Sequence, residues 1–300
     1  MSQLVTNPVS VQSYIVSLAE RFDQADLYYG HGTDNAFDEA VYLVLGILSI
    51  AFETDLDLAN VLLDDSDQLR LEQAALRRIN DRTPTAYLVG SAWFAGHRFI
   101  SNENALVPRS PIAELINNRF EGVIGAAPKS LLDMCTGSGC IGIAAALEFD
   151  QATAVLADIS KACIELATQN IQLHKLEQRV VPVLSDGFAA IDGKFDLILA
   201  NPPYVSDSEY SELPQEYFAE PALGLVSARD GLALPMALMR SAAKHLHADG
   251  VLIMEVGYSA EALMQALPAV PFLWLEFDYG GAGVFSLTAE QLRTFSANAV

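Results

Sequence analysis

Cationic residues are scarce in this chain. Seventeen lysines and arginines face 38 aspartates and glutamates, leaving a formal net charge of -21. A surface that grips nucleic acid neutralises phosphates with clustered Lys and Arg, so no direct nucleic-acid binding is expected. A basic protein partner would be drawn in by long-range attraction, and solubility alone also accounts for such a balance. Cysteine is rare too. Cys135, Cys140 and Cys163 share no Cys-x-x-Cys spacing, which excludes a disulfide framework and fits a reducing cytoplasm. The five histidines form no metal motif. His245 and His247 sit two apart in a helical stretch and should face different directions, into solvent. Long apolar runs are missing as well. The most apolar helix candidate, from Ala40 to Phe52, is about a dozen residues, too short for a bilayer, and is flanked by Asp38, Glu39 and Glu53. No signal peptide opens the chain, and no membrane association is expected. What remains is a large apolar complement, 51% hydrophobic against 18% charged over 300 residues. That suffices for a substantial core in one large domain or two.

Taken in order, residues 1–82 read as a small helical domain. Ser10 caps a helix through Phe22, with Ile15, Leu18 and Ala19 on one face. Asn35 or Asp38 starts a second helix, along which Val41, Val44, Leu45, Leu48 and Phe52 fall at helical spacing. A third runs from about Ser66 with Leu69, Leu71, Ala75 and Ile79. No chemistry is visible here, so this domain is expected to orient a partner. Residues 83–110 read as a linking hairpin: Trp93 to Ile100 alternate, Ser101 to Asn104 turn, and Ala105 to Pro108 form a second strand. Pro108-Arg109-Ser110-Pro111 then starts a helix running to Phe120. Arg109, at that hinge, is either a ligand contact or a surface ion pair.

Residues 111–300 alternate strand and helix. Strands are expected at 129–134, 152–157, 180–184, 195–200, 251–256, 272–276 and 283–287, with helices at 141–149, 161–174, 232–247 and 260–267 between them. Such alternation implies an α/β fold with a mainly parallel, doubly wound sheet. The link Asp278 to Gly283 is too short for a crossover, so the last two strands form an antiparallel hairpin at one edge.

Two stretches carry the chemistry. After the first strand, Asp133-Met-Cys135-Thr136-Gly137-Ser138-Gly139-Cys-Ile-Gly142 forms a tight turn that brings backbone close to a ligand. Asp158 closes the next strand about twenty residues on, where a ribose-binding acid belongs. By itself this suits a dinucleotide, any adenosine-bearing ligand, or packing alone. Asp133 would repel a pyrophosphate but could hold a cationic amino acid portion through water. Asp186 would accept from an adenine amine, with Phe188 packed nearby. A cationic, adenosine-bearing amino acid fits that set: S-adenosylmethionine. The second stretch is Asn201-Pro202-Pro203-Tyr204, which ends a buried strand because neither proline has an N–H for the ladder. It either makes a rigid turn or holds a planar NH2 group between two oxygen acceptors, at the sheet edge where ligands of open α/β folds bind. Residues 204–230, without regular pattern, are either a docking lid whose acids meet a basic substrate or an insertion without a role.

Together these stretches resemble the HemK-like protein glutamine methyltransferases over essentially the whole chain. The resemblance implies a class I, Rossmann-like methyltransferase of seven mainly parallel strands with an antiparallel last strand, preceded by a small helical domain. It implies S-adenosylmethionine held by Asp133, Cys135, Thr136, Gly137, Ser138, Gly139, Asp158, Asp186, Phe188 and Asn201. Asn201 and Pro202 would be catalytic, and Pro203, Tyr204 and Arg109 would bind substrate. Leu106 to Ile112, Glu114 to Asn118, Leu132 to Ile141 and Trp274 to Asp278 look like the PrmB-type branch, which acts on a glutamine of protein three of the large ribosomal subunit. The branch acting on peptide chain release factors usually has Gly at Cys135 and Pro-Asp-Thr-Glu in place of Ser110-Pro111-Ile112-Ala113. A nucleic-acid adenine methyltransferase shares the tetrapeptide, but would have to flip a base and hold phosphates without a basic stripe. A module that keeps S-adenosylmethionine as a sensor ligand, and a nicotinamide dehydrogenase, are the more distant alternatives.

Overall fold

The computed structural model describes residues 9–298. It resolves into two compact units, one running through Ser91 and including Pro214–Ala219, the other built from Ala92–Leu213 and the chain from Glu220 onward.

Three capped helices make the first unit. In α1 (Val11–Gln24), α2 (Ala36–Leu48) and α3 (Asp65–Asn80), the side chains of Ser10, Asn35 and Asp64 each accept a first-turn N–H that would otherwise lack a partner. Helix α2 stops at Leu48 because Ser49 turns left-handed at φ 57°, so Phe52 lies outside the helix and is exposed. Leu69 also leaves the expected apolar face. It precedes Leu71 by two positions, about 200° around a helix, and is 60% exposed. The inner stripe runs Leu71, Ala75, Arg78 instead.

Arg78 is buried and fully engaged. Its Nε lies 2.7 Å from Glu39 Oε1, its Nη1 3.3 Å from Glu216 Oε1, and its Nη2 donates to the Tyr28 carbonyl at 3.0 Å. Glu39 Oε1 also accepts from the Thr85 hydroxyl at 2.8 Å, and Glu216 Oε1 from the Tyr28 N–H at 3.0 Å. Thr85 opens α4 (Thr85–Val89), a helix where hairpin texture was expected, and this helix packs on α2.

In the second unit the hairpin is confined to β1 (Ser91–Phe94) and β2 (His97–Ile100). Its turn is Ala95-Gly96, at φ 47° and 78°, the left-handed pair that a two-residue hairpin needs. Ser101 to Asn104 is therefore not its turn, and residues 105–108 form no second strand. The helix after Pro111 is short, α5 (Ile112–Asn117), with Phe120 beyond its end. Then follow β3 (Ser130–Met134), α6 (Cys140–Glu148), β4 (Thr153–Asp158), α7 (Lys161–Leu173), β5 (Val180–Leu184) and β6 (Phe195–Ala200). The chain continues through α8 (Asp207–Tyr210), α9 (Ala233–Ala242), β7 (Leu246–Glu255), α10 (Ala260–Ala266), β8 (Leu273–Trp274), β9 (Val284–Thr288) and α11 (Ala289–Asn298).

Seven strands form one sheet in the order β5-β4-β3-β6-β7-β9-β8, parallel except that β9 runs against both of its neighbours. The winding reverses between β3 and β6, so the turn after β3 and the tetrapeptide after β6 open at the same crevice. Helix α9 ends before the expected His247 because Leu246 enters the sheet opposite Phe195. His245 consequently stacks on Phe188 at 4.6 Å and is half-buried rather than solvated.

Replacing Arg78 by methionine would leave Glu39 and Glu216 buried without their shared cation. Arg78→Met is expected to cost the helical unit about 3–5 kcal/mol, the usual result of removing one partner from a buried ion network. Urea unfolding followed by circular dichroism would measure it.

Candidate active site

Strand β6 is flanked on both sides, Ala200 pairing with Met134 of β3 and Met254 of β7. Immediately beyond, Pro202 and Pro203 have no N–H to donate, and the ladder ends. Among the described residues, neither the Asn201 side chain nor the Pro202 carbonyl takes part in a hydrogen bond. Two oxygen acceptors therefore remain unspent at the strand's end. Tyr204 is held from several sides. Its hydroxyl donates to Glu255 Oε1 at 3.0 Å and its carbonyl accepts from Ser259 Oγ at 2.7 Å. Its ring lies on the Gly257 backbone, where a Cβ would come within 2.6 Å of the ring and φ is 47°.

The turn after β3 is built around Asp133, only 1% exposed. Its Oδ2 accepts from the Thr136 hydroxyl and from the Gly142 N–H at 2.9 Å, while its Oδ1 has no partner among the described residues. Burial pushes this carboxyl up to about 7, the two hydrogen bonds opposing the shift. Gly142 permits the close approach of α6 to the sheet, since a Cβ there would stand 2.2 Å from Leu156 and 2.7 Å from Asp133 Cβ. Asp158 Oδ2 accepts from Gly137 N at 2.9 Å and its Oδ1 from Ser160 N at 2.8 Å. Burial raises this carboxyl as well, against the backbone hydrogen bonds from Ser160 and Gly137.

One cavity unites most of the expected residues. Cys135, Thr136, Gly137, Ser138, Asp158, Asp186, Asn201, Pro203, Tyr204 and Arg109 all line it. Asp133, Gly139 and Pro202 are not on its surface, and neither is Phe188, whose ring is stacked on His245. Arg109 forms a two-pronged pair with Glu220, Nη1–Oε1 at 2.6 Å and Nη2–Oε2 at 2.7 Å. Glu220 Oε1 also accepts from the Val107 N–H at 2.9 Å, fixing the loop that was expected to be a strand.

Of the six acids in residues 204–230, Asp207, Glu212 and Asp230 are exposed, while the other three are engaged within the chain. Glu209 closes a capping box with Ser206, Glu216 is consumed by Arg78, and Glu220 by Arg109. Each of these carboxylates already has its donor within the chain.

Sequence reasoning missed Glu255, Ser110 and the wall formed by Leu106, Leu223 and Gly224. For Glu255 a signal existed: it is the only charged residue in the otherwise apolar run 251–256. Of the charged lining groups, three are acids (Asp158, Asp186, Glu255) and one is Arg109, itself paired. Such a cavity favours a cationic ligand, with the free side-chain oxygen of Asn201 on its surface and the Pro202 carbonyl belonging to a residue just behind it.

A family profile described as methyltransferase small domain matches residues 115–228. The ribosomal protein uL3 glutamine methyltransferase of Francisella tularensis subsp. tularensis (strain SCHU S4 / Schu 4) is 40% identical over 292 residues, 96% of this chain and 93% of that protein. Its counterpart from Xylella fastidiosa (strain 9a5c) is 44% identical over 276 residues, 91% of this chain and 88% of that one. Among solved structures, the hMettl16 catalytic domain in complex with a 3′UTR hairpin superposes with a TM-score of 0.52 at 16% identity, covering 74% of this chain and 81% of that one, a likeness of fold alone. The fold is that of class I methyltransferases, and with such identity along nearly the full length of both chains, this protein belongs to the ribosomal protein uL3 glutamine methyltransferase family.

Proposed function

We propose that this chain methylates the side-chain amide nitrogen of a glutamine in ribosomal protein uL3, using S-adenosylmethionine. The observation that carries the reading is the pair of unspent oxygens, Asn201 Oδ1 and the Pro202 carbonyl, at the crevice where β3 and β6 diverge. The relatives' names supply the substrate.

The residues present fit the methyl donor. Asp133 keeps one buried, unpartnered oxygen, the right chemistry for the donor's ammonium group through water. Each oxygen of Asp158 accepts one backbone N–H and retains a lone pair for a ribose hydroxyl. Asp186 would take the adenine amine, and the turn from Cys135 to Gly139 brings backbone close to the ligand. Phe188, stacked on His245, supports the Asp186 segment from behind. When bound, S-adenosylmethionine supplies a sulfonium methyl: a nitrogen–carbon bond forms as the carbon–sulfur bond breaks, the electron pair stays on sulfur, and one amide proton is lost.

An amide nitrogen is a poor nucleophile because its lone pair is delocalised. By accepting both amide hydrogens, Asn201 and Pro202 would orient that lone pair and stabilise the positive charge that grows on nitrogen. Pro203 and Tyr204 would cover the amide plane and exclude water. In-line placement contributes up to about 7–11 kcal/mol of the barrier reduction in well-aligned systems. Arg109 would serve substrate binding through Glu220, holding residues 220–225 along the cavity wall. The helical unit would orient the substrate protein. No helix among the described residues is long and apolar enough to cross a membrane, and a cytoplasmic location goes with a ribosomal substrate.

Asn201→Ala is expected to lower kcat on uL3 by about 100-fold or more, as removal of one transition-state hydrogen-bonding group does. Its affinity for S-adenosylhomocysteine should change far less. Asp158→Ala should show the reverse, a weakened calorimetric Kd at a better preserved kcat. Loss of cofactor binding in the first, or an unchanged Kd in the second, would remove the assigned roles.

Asp133 makes binding depend on pH. Its carboxyl sits near 7 in the fold against an ordinary 3.8, so the folded chain holds a proton that the unfolded chain has already shed. This group's stabilising contribution to the ligand-free protein is complete below 3.8 and is lost as pH rises through 7. A cationic ligand needs the carboxylate. Cofactor affinity in calorimetry should therefore rise through neutral pH and level off, and Asp133→Asn should flatten that rise.

A further inference from the structure

We propose that Glu255 is a positioning and specificity residue for the transfer: by taking the phenol proton of Tyr204 it leaves only acceptors around Asn201, so that an amide NH2 is admitted and a carboxylate refused. The inference rests on the reading of the target as a glutamine.

Register puts Glu255 at the right place. Ala200 of β6 pairs with Met254 of β7, so Glu255 stands level with Asn201 one step further along the parallel strands. It is 6% exposed and lines the same cavity as Asn201, Pro203 and Tyr204. Both of its oxygens are engaged by hydroxyls: Tyr204 Oη donates to Oε1 at 3.0 Å, and Ser110 Oγ donates to Oε2 at 2.6 Å. Glu255 forms no direct ion pair with a cation among the described residues. Burial raises its carboxyl, opposed by the Ser110 and Tyr204 hydrogen bonds and by the attraction of Arg109, whose guanidinium both oxygens of Glu220 hold. A buried carboxylate without a cation is costly to keep, and an apolar side chain would end β7 with a smaller desolvation penalty.

What the carboxylate does is set the direction of two hydroxyl protons. A phenol has one proton to give. With that proton on Glu255, the oxygen of Tyr204 presents lone pairs only, and Ser110 is committed in the same way. Asn201 Oδ1, Tyr204 Oη and the Glu255 carboxylate, all on residues that line the cavity, then share one polarity. An amide NH2 brings two protons to such a surface. A glutamate side chain of nearly the same shape brings a negative charge and no proton, leaving acceptors opposed to acceptors. Discrimination built on an unsatisfied polar contact is far stronger than discrimination by shape. The same polarity favours the positive charge that grows on nitrogen during the transfer. In Glu255→Gln, the introduced amide would donate to one of the two hydroxyls and release that hydroxyl's proton toward the cavity.

The test uses the full chain, uL3, and uL3 with its methylated glutamine changed to glutamate. Glu255→Gln, Tyr204→Phe and the double variant are compared with wild type in kcat and KM on uL3, inhibition by the glutamate form, and calorimetric Kd for S-adenosylhomocysteine. In wild type the glutamate form should inhibit poorly. In Glu255→Gln, kcat should fall about 30-fold or more, KM should move much less, the S-adenosylhomocysteine Kd should stay within about threefold, and the glutamate form should inhibit markedly better. The double variant should lose little beyond the slower single variant, because one residue acts through the other. Multiplicative losses in the double variant would overturn the proposal, as would a parallel loss of S-adenosylhomocysteine affinity. If Glu255→Gln does not fold, Tyr204→Phe keeps the carboxylate and removes only the link; it must then show the rate loss at unchanged S-adenosylhomocysteine affinity, and a rate near wild type would overturn the proposal. Wild-type transfer to uL3 with Glu255→Gln unchanged in rate and discrimination would overturn the proposal alone. Absence of wild-type transfer to uL3 would overturn the target reading, and the proposal with it.

Discussion

Everything at this site follows from two missing hydrogen-bond donors. A β-strand ordinarily commits its carbonyls to neighbouring strands, and β6 does so as far as Ala200. Two prolines in succession then end the pairing while keeping the chain rigid, so that acceptors are presented at a fixed place without a flexible loop to carry them. Rigidity matters because the reaction asks for orientation more than for acid or base chemistry. An amide nitrogen is a poor nucleophile, and holding its hydrogens would orient it and stabilise the charge that grows on it. The glycines around Tyr204 serve the same end, since Gly257 lets the ring lie directly on backbone.

Charge is distributed by the same logic of which groups are paired and which are left open. The acids Glu209, Glu216 and Glu220 are committed within the chain, to a capping box and to two arginines. Asp133 keeps an open oxygen behind the turn after β3, and Asp158, Asp186 and Glu255 make the cavity's acidic lining. A cavity of this sign attracts a sulfonium and repels a pyrophosphate. The distinction cannot come from the glycine turn alone, because both kinds of ligand need the close backbone approach it provides.

The parts of this architecture that were legible in the sequence are local ones. The strand–helix alternation, the turn from Asp133 to Gly142, and the end of β6 at Asn201 each depend on residues within a few positions of one another, and a proline's missing N–H acts wherever it stands. What could not be read depends on distant partners. Arg109 meets Glu220 across 111 positions, Arg78 meets Glu216 across 138, and Ser110 meets Glu255 across 145. Leu69 fails for a local reason, lying about 200° round the helix from Leu71, whereas the arginine that completes the inner stripe is buried only because two distant acids meet it. Residues 105–108 read as a strand because their side chains are apolar, yet the backbone N–H of Val107 is claimed by Glu220 rather than by a neighbouring strand.

The surplus of acids remains after these internal pairings are made, and its role differs from that of the site. At physiological ionic strength a surface charge is felt over about 8 Å, so most of the net charge of -21 is screened from the cavity. It would raise the rate at which a basic protein arrives, and it would bias the orientation of that encounter. It cannot choose between a glutamine and a glutamate once the side chain is inside. That choice needs charge held within hydrogen-bonding distance and shielded from salt, the condition met by Glu255 behind Tyr204 and by no exposed acid on the surface. Encounter and selection therefore draw on the same residue type in two separate places, and ionic strength should weaken the first while leaving the second intact.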